Sequence, residues 1–265
     1  MRGHFSWLIR LLALLGLAVA SFVLGVSSWR SVTGYQAKHV FHATLPAGEP
    51  LTRRVVLVVL DGVRVDVSRQ MPSLQELARS GAAGTAWAGM PSLSNPARAA
   101  MATGAWTEIH GVTNNGRYEP PAADSIFSLA REAGVPRAAA GSSFWVQAFE
   151  AQLGKSVLVH DKHPHGQNQA DRLVDWQRQV CGKNVDFLGK YDTGLLVMGI
   201  TAADSAGHDF GGESTTYRRV AQAVDTCLGA LVNDLDDGET TFVVCSDHGH
   251  IDRSGRGGHG GSEEE

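Results

Sequence analysis

The stretch "RRVVLVVLDG", Arg53 to Gly62, decides the fold. Six apolar residues, four of them valine, run without a break and stop at an acid followed by a glycine. A half-buried strand would alternate apolar with polar side chains. An unbroken β-branched run is instead a strand covered on both faces, as in a parallel sheet. Working outward, "RAAAG" (137–141), "TGLLVMGI" (193–200) and "TTFVVCS" (240–246) read as further strands. Between them "PSLQELARSG" (72–81), "SIFSLAREAG" (125–134), "QADRLVDWQRQV" (169–180) and "STTYRRVAQAVDTCLGALVNDL" (214–235) carry helical periodicity. Strands alternating with helices of this length predict an α/β domain, its largely parallel central sheet covered by helices on both faces.

The 265 residues, 43% hydrophobic and with formal net charge −4, suffice for one sizeable core and offer no basic face for a nucleic-acid polymer. Three cysteines are too few for a disulfide framework; a Cys181–Cys227 bridge needs an oxidising compartment, and Cys245 reads as a core strand residue. Near the N-terminus, Leu11 to Trp29 carries no charge and follows Arg2 and Arg10. As a helix it would span about 28 Å, close to the hydrocarbon thickness of a bilayer. "AVA" at 18–20 offers a cleavage site, but the apolar run continues through Phe22, Val23 and Leu24, which favours an uncleaved signal anchor. Basic residues also lie downstream, at Arg30, Lys38, Arg53 and Arg54, so the charge bias does not settle the orientation. The expected organisation is a signal anchor or signal peptide at 1–30, a tether at 31–51 and a catalytic domain at 52–265, exported and either membrane-anchored or secreted.

Ligands of parallel sheets bind beyond the carboxyl ends of the strands, so the residues after each strand carry the functional signal. Asp61-Gly62 follows the first strand; "TAADSAGHD", with Asp204 and His208, follows the strand ending at Ile200; Asp247-His248 follows the last. His259 stands further on among glycines that let the chain turn its imidazole back toward the same rim. Carboxylates and imidazoles without thiolates suit Zn²⁺ and also Mn²⁺. Six such ligands are too many for one tetrahedral ion and right for a pair, which can clamp the attacking and leaving oxygens of a phosphoryl transfer. In "PSLSNPARAAMATG" (91–104), Ser94 stands at or just before a helix N-terminus, where free amides and the helix dipole favour an anion. It is the candidate nucleophile, with helix N-capping as a role it can also fill. Asn115, in "HGVTNN", offers an amide donor to a phosphate oxygen, although asparagine-rich turns also have backbone reasons to exist.

The ordered set of Asp61-Gly, Ser94-x-Pro-x-Arg with Thr103-Gly104, "EIHGVTNN", Asp204-x-x-x-His208, Ser246-Asp247-His248-Gly and His259 resembles the alkaline phosphatase superfamily. Within it, residues 54–262 are most similar to the type I phosphodiesterase/nucleotide pyrophosphatase branch, and the tail also resembles the ethanolamine-phosphate transferases. The resemblance implies one ion on Asp204, His208 and His259, and a second on Asp61, Asp247, His248 and the Ser94 oxygen. It further implies a phosphoseryl intermediate, a small-molecule or lipid phosphoester substrate, and Asn115 on a phosphate oxygen. Two departures stand out. The chain stops at Glu265, where relatives of this branch continue with another strand, which leaves a sheet edge unpaired; and the usual nucleophile of the branch is threonine.

Other readings compete. "SNPAR" fits the Ser/Cys-x-Pro-x-Arg pattern of sulfatases, in which Ser94 would be a formylglycine precursor; but that family usually carries a double aspartate after the first strand and Asp-Asn after the last. A phosphomutase shares the ligand set and suits an exported chain poorly, and a membrane-anchored binding module is the non-enzyme alternative. Arg98 reads equally as a helix-surface residue or an anchor behind the site, and His110 and His250 as structural. "HDKHPH", with His160, His163 and His165, is explained by loop polarity, and Phe144 and Trp145 by helix packing.

Overall fold

The computed structural model describes residues 2–35, 42, 48–157, 170–192, 194–251 and 258–261. The chain divides into two compact units, Met1–Lys38 and His39–Glu265. The first is one helix, α1 (Arg2–Thr33). Its stretch Trp7–Val32, with mean hydropathy 2.3 and apolar side chains exposed along its length, is long and apolar enough to cross a membrane.

The second unit runs β1 (Arg54–Leu60), α2 (Val65–Ser68), α3 (Pro72–Ser80), α4 (Ser94–Thr103), α5 (Thr107–His110), α6 (Ile126–Glu132), β2 (Arg137–Ala140) and α7 (Ser143–Ala148). It continues with β3 (Lys155–Val157), α8 (Ala170–Leu188), β4 (Gly194–Ile200), α9 (Ala202–Phe210), α10 (Thr215–Leu235) and β5 (Thr240–Ser246). The sheet order is β3-β2-β4-β1-β5 and every pairing is parallel. β1 lies inside the sheet with β4 on one side and β5 on the other, which is why its valines and leucines need no polar alternation. Val56, Val58 and Leu60 enter the core shared with α8, α9 and α10, while Leu57 and Val59 enter the core shared with α4 and α7. β5 is an edge strand; its Val243 is exposed.

Three local features add to the sequence reading. "TAADSAGHD" is a helix, α9, so Asp204 and His208 sit one turn apart on it. Ser94 stands at the start of α4 as its first helical residue; Leu93 holds the cap position and no side chain caps it. Arg54 is buried at the start of β1, where its guanidinium bonds to the Tyr191 carbonyl (2.8 Å), to Thr240 Oγ1 (2.9 Å) and to the Leu235 carbonyl. Cys181 on α8 and Cys227 on α10 form a disulfide, with their Cα atoms 5.7 Å apart. Such a bond suits an oxidising compartment.

Helix α3 shows how the packing closes without local help. Its first position is Pro72 and its cap, Met71, has no side-chain acceptor. The acceptor comes from α10: Asp225, buried, takes the Ser73 amide on Oδ2 (2.9 Å) and the Leu74 amide on Oδ1 (3.0 Å). Removing it orphans two amides at a partly buried helix end. Asp225→Ala is therefore expected to cost about 2 kcal/mol and to lower the melting temperature by roughly 4–8 °C. Asp225→Asn, keeping one acceptor, should cost less than Asp225→Ala. A melt of Asp225→Ala indistinguishable from wild type would show that water replaces the carboxylate without loss.

Candidate functional site

Sheet register assembles the site. Leu60 pairs with Ile200 on one side and Ser246 on the other, so β4, β1 and β5 end level with one another. The residues that follow, Asp61, Thr201 and Asp247, emerge on one rim. Asp247 Oδ1 accepts the Gly62 amide (3.0 Å) and its neighbour's, that of His248 (3.1 Å), which ties the β1 and β5 ends together. Gly62 has φ +68°, and a Cβ there would come within 2.9 Å of Asp204 Cα and of His250 Nε2. Only glycine lets α9 approach this closely.

Ser94 reaches the rim from α4. Its hydroxyl donates toward Asp61 Oδ1 (3.3 Å) and lies 3.1 Å from His248 Nε2. Asn115 fixes this corner: its Oδ1 accepts the Asn95 amide and its carbonyl accepts Asn95 Nδ2, both at 2.9 Å. One expectation changes as a result. The helix N-terminus has few free amides for an anion, because Asn95's is taken and Pro96 has none. Asn115, the amide-donor candidate, lines the cavity beside Ser94. One turn further along α4, Arg98 is buried, not on a helix surface. Its Nη2 contacts Asp61 Oδ2 and lies 2.9 Å from Asp247 Oδ2, while Nη1 donates to Ser142 Oγ (2.9 Å).

Around Asp204 the imidazoles converge. Asp204 Oδ1 lies 3.0 Å from Nε2 of His250, 3.5 Å from those of His208 and His259, and 4.0 Å from that of His248. The His248 and His259 rings stack with centroids 3.7 Å apart. His259 is brought back by Ser92, whose carbonyl accepts from its Nδ1 (2.8 Å) and whose hydroxyl accepts the Gly260 amide (3.1 Å) and donates to the Gly261 carbonyl (2.7 Å). His248 Nδ1 likewise donates to the Gly249 carbonyl (2.9 Å). With Nδ1 donating on both rings, Nε2 is the nitrogen that each turns to the cluster, the arrangement of a metal-ligating histidine.

The ionisable groups of the cluster perturb one another strongly. Burial, and after it the charge of Asp61, pushes the Asp247 carboxyl up to about 7. Asp61, despite its burial, is held well below the usual carboxylate range by Arg98 and then His248. Burial opposes charge on His248, but Asp247 and Asp61 push it up to about 10; burial, then the neighbouring His248, brings His259 down to about 4. Perturbations of opposite sign within one cluster mark a functional site more often than a structural one. Two donor groups, each with all its ligand atoms within 4.8 Å of one another, fit divalent cations: Asp204 with His248, His250 and His259, and Asp61 with Asp247 and His248.

Asp61, Ser94, Asp204, His208, Asp247, His248 and His259 thus meet, with His208 half exposed at the border. Two residues that the sequence reading did not count among the ligands also join the cluster, His250, read as structural, and Arg98, read equally as a surface residue or an anchor behind the site. His250 lies two residues after His248, and a Cβ on Gly207 would sit 2.6 Å from its ring, so the helix leaves room for that ring alone. Arg98 is four residues after Ser94, one helical turn, and that spacing was the available signal. His110 is buried with Nδ1 accepting the Val112 amide (3.0 Å), which suits a structural role. His160, His163 and His165 lie outside the described residues. A cavity of about 450 Å³ opens beside Ser94, lined by Asn95, Asn115 and Tyr118 and, across it, by Gln147, Gln177 and Asn184. Phe144 and Trp145 pack in the core with Phe127 and Phe149, while Ser142 and Ser143 of the same segment line the cavity.

A parallel sheet with acids and imidazoles at its carboxyl ends and a serine at a helix start is what the resemblance to the alkaline phosphatase superfamily implies. The chain belongs to the type I phosphodiesterase / nucleotide pyrophosphatase family, whose profile matches residues 55–257. Solved structures share the fold: murine ectonucleotide pyrophosphatase / phosphodiesterase 5 in complex with AMP (19% identity, TM-score 0.56, 75% of this chain and 57% of that one). Phosphonoacetate hydrolase from Sinorhizobium meliloti is similar at 20% identity and TM-score 0.58, over 76% of this chain and 57% of that one. A 2-O GAG sulfatase, BT1596, is similar at 14% and 0.59, over 80% of this chain and 62% of that one. The chain thus spans about three fifths of the length of these proteins. A search of curated proteins finds no match.

Proposed function

We propose that the protein is a metal-dependent phosphoric ester hydrolase with Ser94 as nucleophile, acting on diesters in preference to monoesters. The observation that carries the reading is the Ser94 hydroxyl, buried at the start of α4, 3.3 Å from a carboxylate and 3.1 Å from an imidazole of a two-group cation site. Asp204, His208 and His259, with His250 beside them, would hold one ion; Asp61, Asp247, His248 and Ser94 Oγ would hold the other. Zinc suits this donor set, manganese less closely. Bound cations supply positive charge that lowers the hydroxyl pKa and offsets the charge of the phosphoryl oxygens. Ser94 Oγ, its proton lost to solvent, then forms the bond to phosphorus as the bond to the leaving oxygen breaks, and that oxygen takes a proton from water to depart as the alcohol; Asp61 Oδ1, 3.3 Å away, orients the hydroxyl. Water cleaves the phosphoseryl ester. Asn115 NH₂ donates to a phosphoryl oxygen, and the cavity of about 450 Å³ takes the leaving group.

The organisation that fits is a membrane or signal helix at 1–30, a tether at 31–51 and the catalytic unit at 52–265, exported. The disulfide and the apolar helix both support export. Phosphoethanolamine-type transfer uses the same nucleophile with an alcohol in place of water. A sulfatase reading draws on Arg98 in its Ser-x-Pro-x-Arg spacing, close to the Ser94 corner.

The test is turnover of p-nitrophenyl esters by the full chain. Bis(p-nitrophenyl) phosphate should be cleaved at least about tenfold faster, in kcat/KM, than the monoester, and a chelator should abolish both activities. A monoester rate equal to the diester rate overturns the diester preference. Faster cleavage of p-nitrophenyl sulfate, with an aldehyde mass at the Ser94 peptide, replaces the reading with a sulfatase.

A further inference from the structure

The two donor groups are not alike, and Arg98 is the reason. Asp61 and Asp247 together offer two carboxylates, but a buried guanidinium lies against one oxygen of each: Nη2 contacts Asp61 Oδ2 and stands 2.9 Å from Asp247 Oδ2, as an ion pair without hydrogen-bond geometry at Asp247 Oδ2. The other oxygen of Asp247 already takes two backbone amides, at 3.0 and 3.1 Å. A cation entering this group meets Asp61 Oδ1, His248 Nε2 and the Ser94 hydroxyl as its less committed donors, beside a fixed positive charge that cannot be deprotonated. Arg98 is itself held by Ser142, so it has no ready way to swing aside. The Asp204 group has no such competitor: its nearest contacts are the imidazoles themselves.

We infer that Arg98 is a built-in third cation which makes the two metal positions unequal, so that the Asp204 group binds its ion tightly and the Asp61/Asp247 group binds the second weakly. The inference rests on the two-ion reading of this site. Its physical basis is the sharing of carboxylates. Like charges placed this close in a buried setting repel far more strongly than in water. The guanidinium takes up one of the two negative charges that would otherwise attract a divalent ion. It also holds Asp61 and Asp247 together before any ion arrives, which two bare buried carboxylates would resist. Arg98 is thus a positioning residue: it keeps the acids in place and, by the same contacts, limits how firmly a second cation is retained.

The experiment is a zinc titration of the chelator-stripped full chain against a chromophoric competitor. The wild type should show two steps, the second at least about tenfold weaker than the first. Arg98→Gln should strengthen the second step by at least about tenfold and leave the first within about threefold, whereas Arg98→Lys, which keeps the charge, should preserve the gap. Equal steps in the wild type, or a second step in Arg98→Gln that is unchanged or weaker, overturn the inference while leaving the two-ion reading intact. Should Arg98→Gln fail to fold, Asp204→Asn replaces it: only the weak step should remain, and survival of the tight step overturns the assignment. A wild type that binds no zinc overturns the two-ion reading and this inference together.

Discussion

Ser94→Ala should reduce diester turnover by about 10⁴-fold or more, because no neighbouring group can form the covalent intermediate in its place. The alternatives are few and poorly placed. Thr103 stands at the far end of α4, and Ser92 is engaged with Gly260 and Gly261 in holding the His259 segment. The variant should fold: Ser94 is not the helix cap, and its hydroxyl makes only the contacts to Asp61 and His248, which Arg98 and the Gly249 carbonyl continue to hold. Binding of the first zinc equivalent should persist, since the Asp204 group keeps all its donors. The check is a pair of measurements on one preparation, initial rates on bis(p-nitrophenyl) phosphate and zinc content after dialysis. Turnover within about threefold of wild type would mean that water, not the serine, attacks phosphorus.

The sheet was legible in the sequence because β-branched runs buried on both faces have no other common explanation. β1, β4 and β5 stand where "VVLVVL", "LLVMGI" and "TTFVVC" place them. The acids after those strands were legible for the same reason, since parallel register brings strand ends level. Helix α9 was not: three alanines and a glycine within "TAADSAGHD" look like a flexible turn, and their helical role is to allow close packing. A Cβ on Gly207 would meet the His250 ring at 2.6 Å, so the small residue serves a neighbour that local periodicity cannot reveal. His250 read as structural because a histidine two residues after another carries no periodic signal. Arg98 read equally as a surface residue or an anchor because the charge it answers comes from Asp61 and Asp247, far away in sequence. β3 spans three residues, too short to register as a pattern.

The Asp204 position carries the second large effect. Its Oδ1 is the one anionic atom within 3.0 to 4.0 Å of four imidazole nitrogens, and those rings are held in place independently, by Ser92, by Gly249 and by packing among themselves. Asp204→Asn keeps the shape and an acceptor for His250 but removes the charge. A neutral amide is a far poorer ligand for a divalent ion than a carboxylate, and the remaining donors are neutral imidazoles clustered around it. Zinc affinity at the tight position should fall by about 10³-fold, which is about 4 kcal/mol. Binding to the native state alone stabilises it by mass action, by about 4.1 kcal/mol at a free concentration of about 1,000 Kd. Zinc at that level should therefore raise the wild-type melting temperature by roughly 8–16 °C more than that of Asp204→Asn, in which only the weaker position still binds. The measurement is a thermal melt of both proteins with and without zinc, each referenced to its own chelator-treated baseline. An equal rise in the two would place the tight ion elsewhere and sever the link between the helix α9 acid and tight zinc binding, since Asp204 is the carboxylate of the group it shares with His248, His250 and His259.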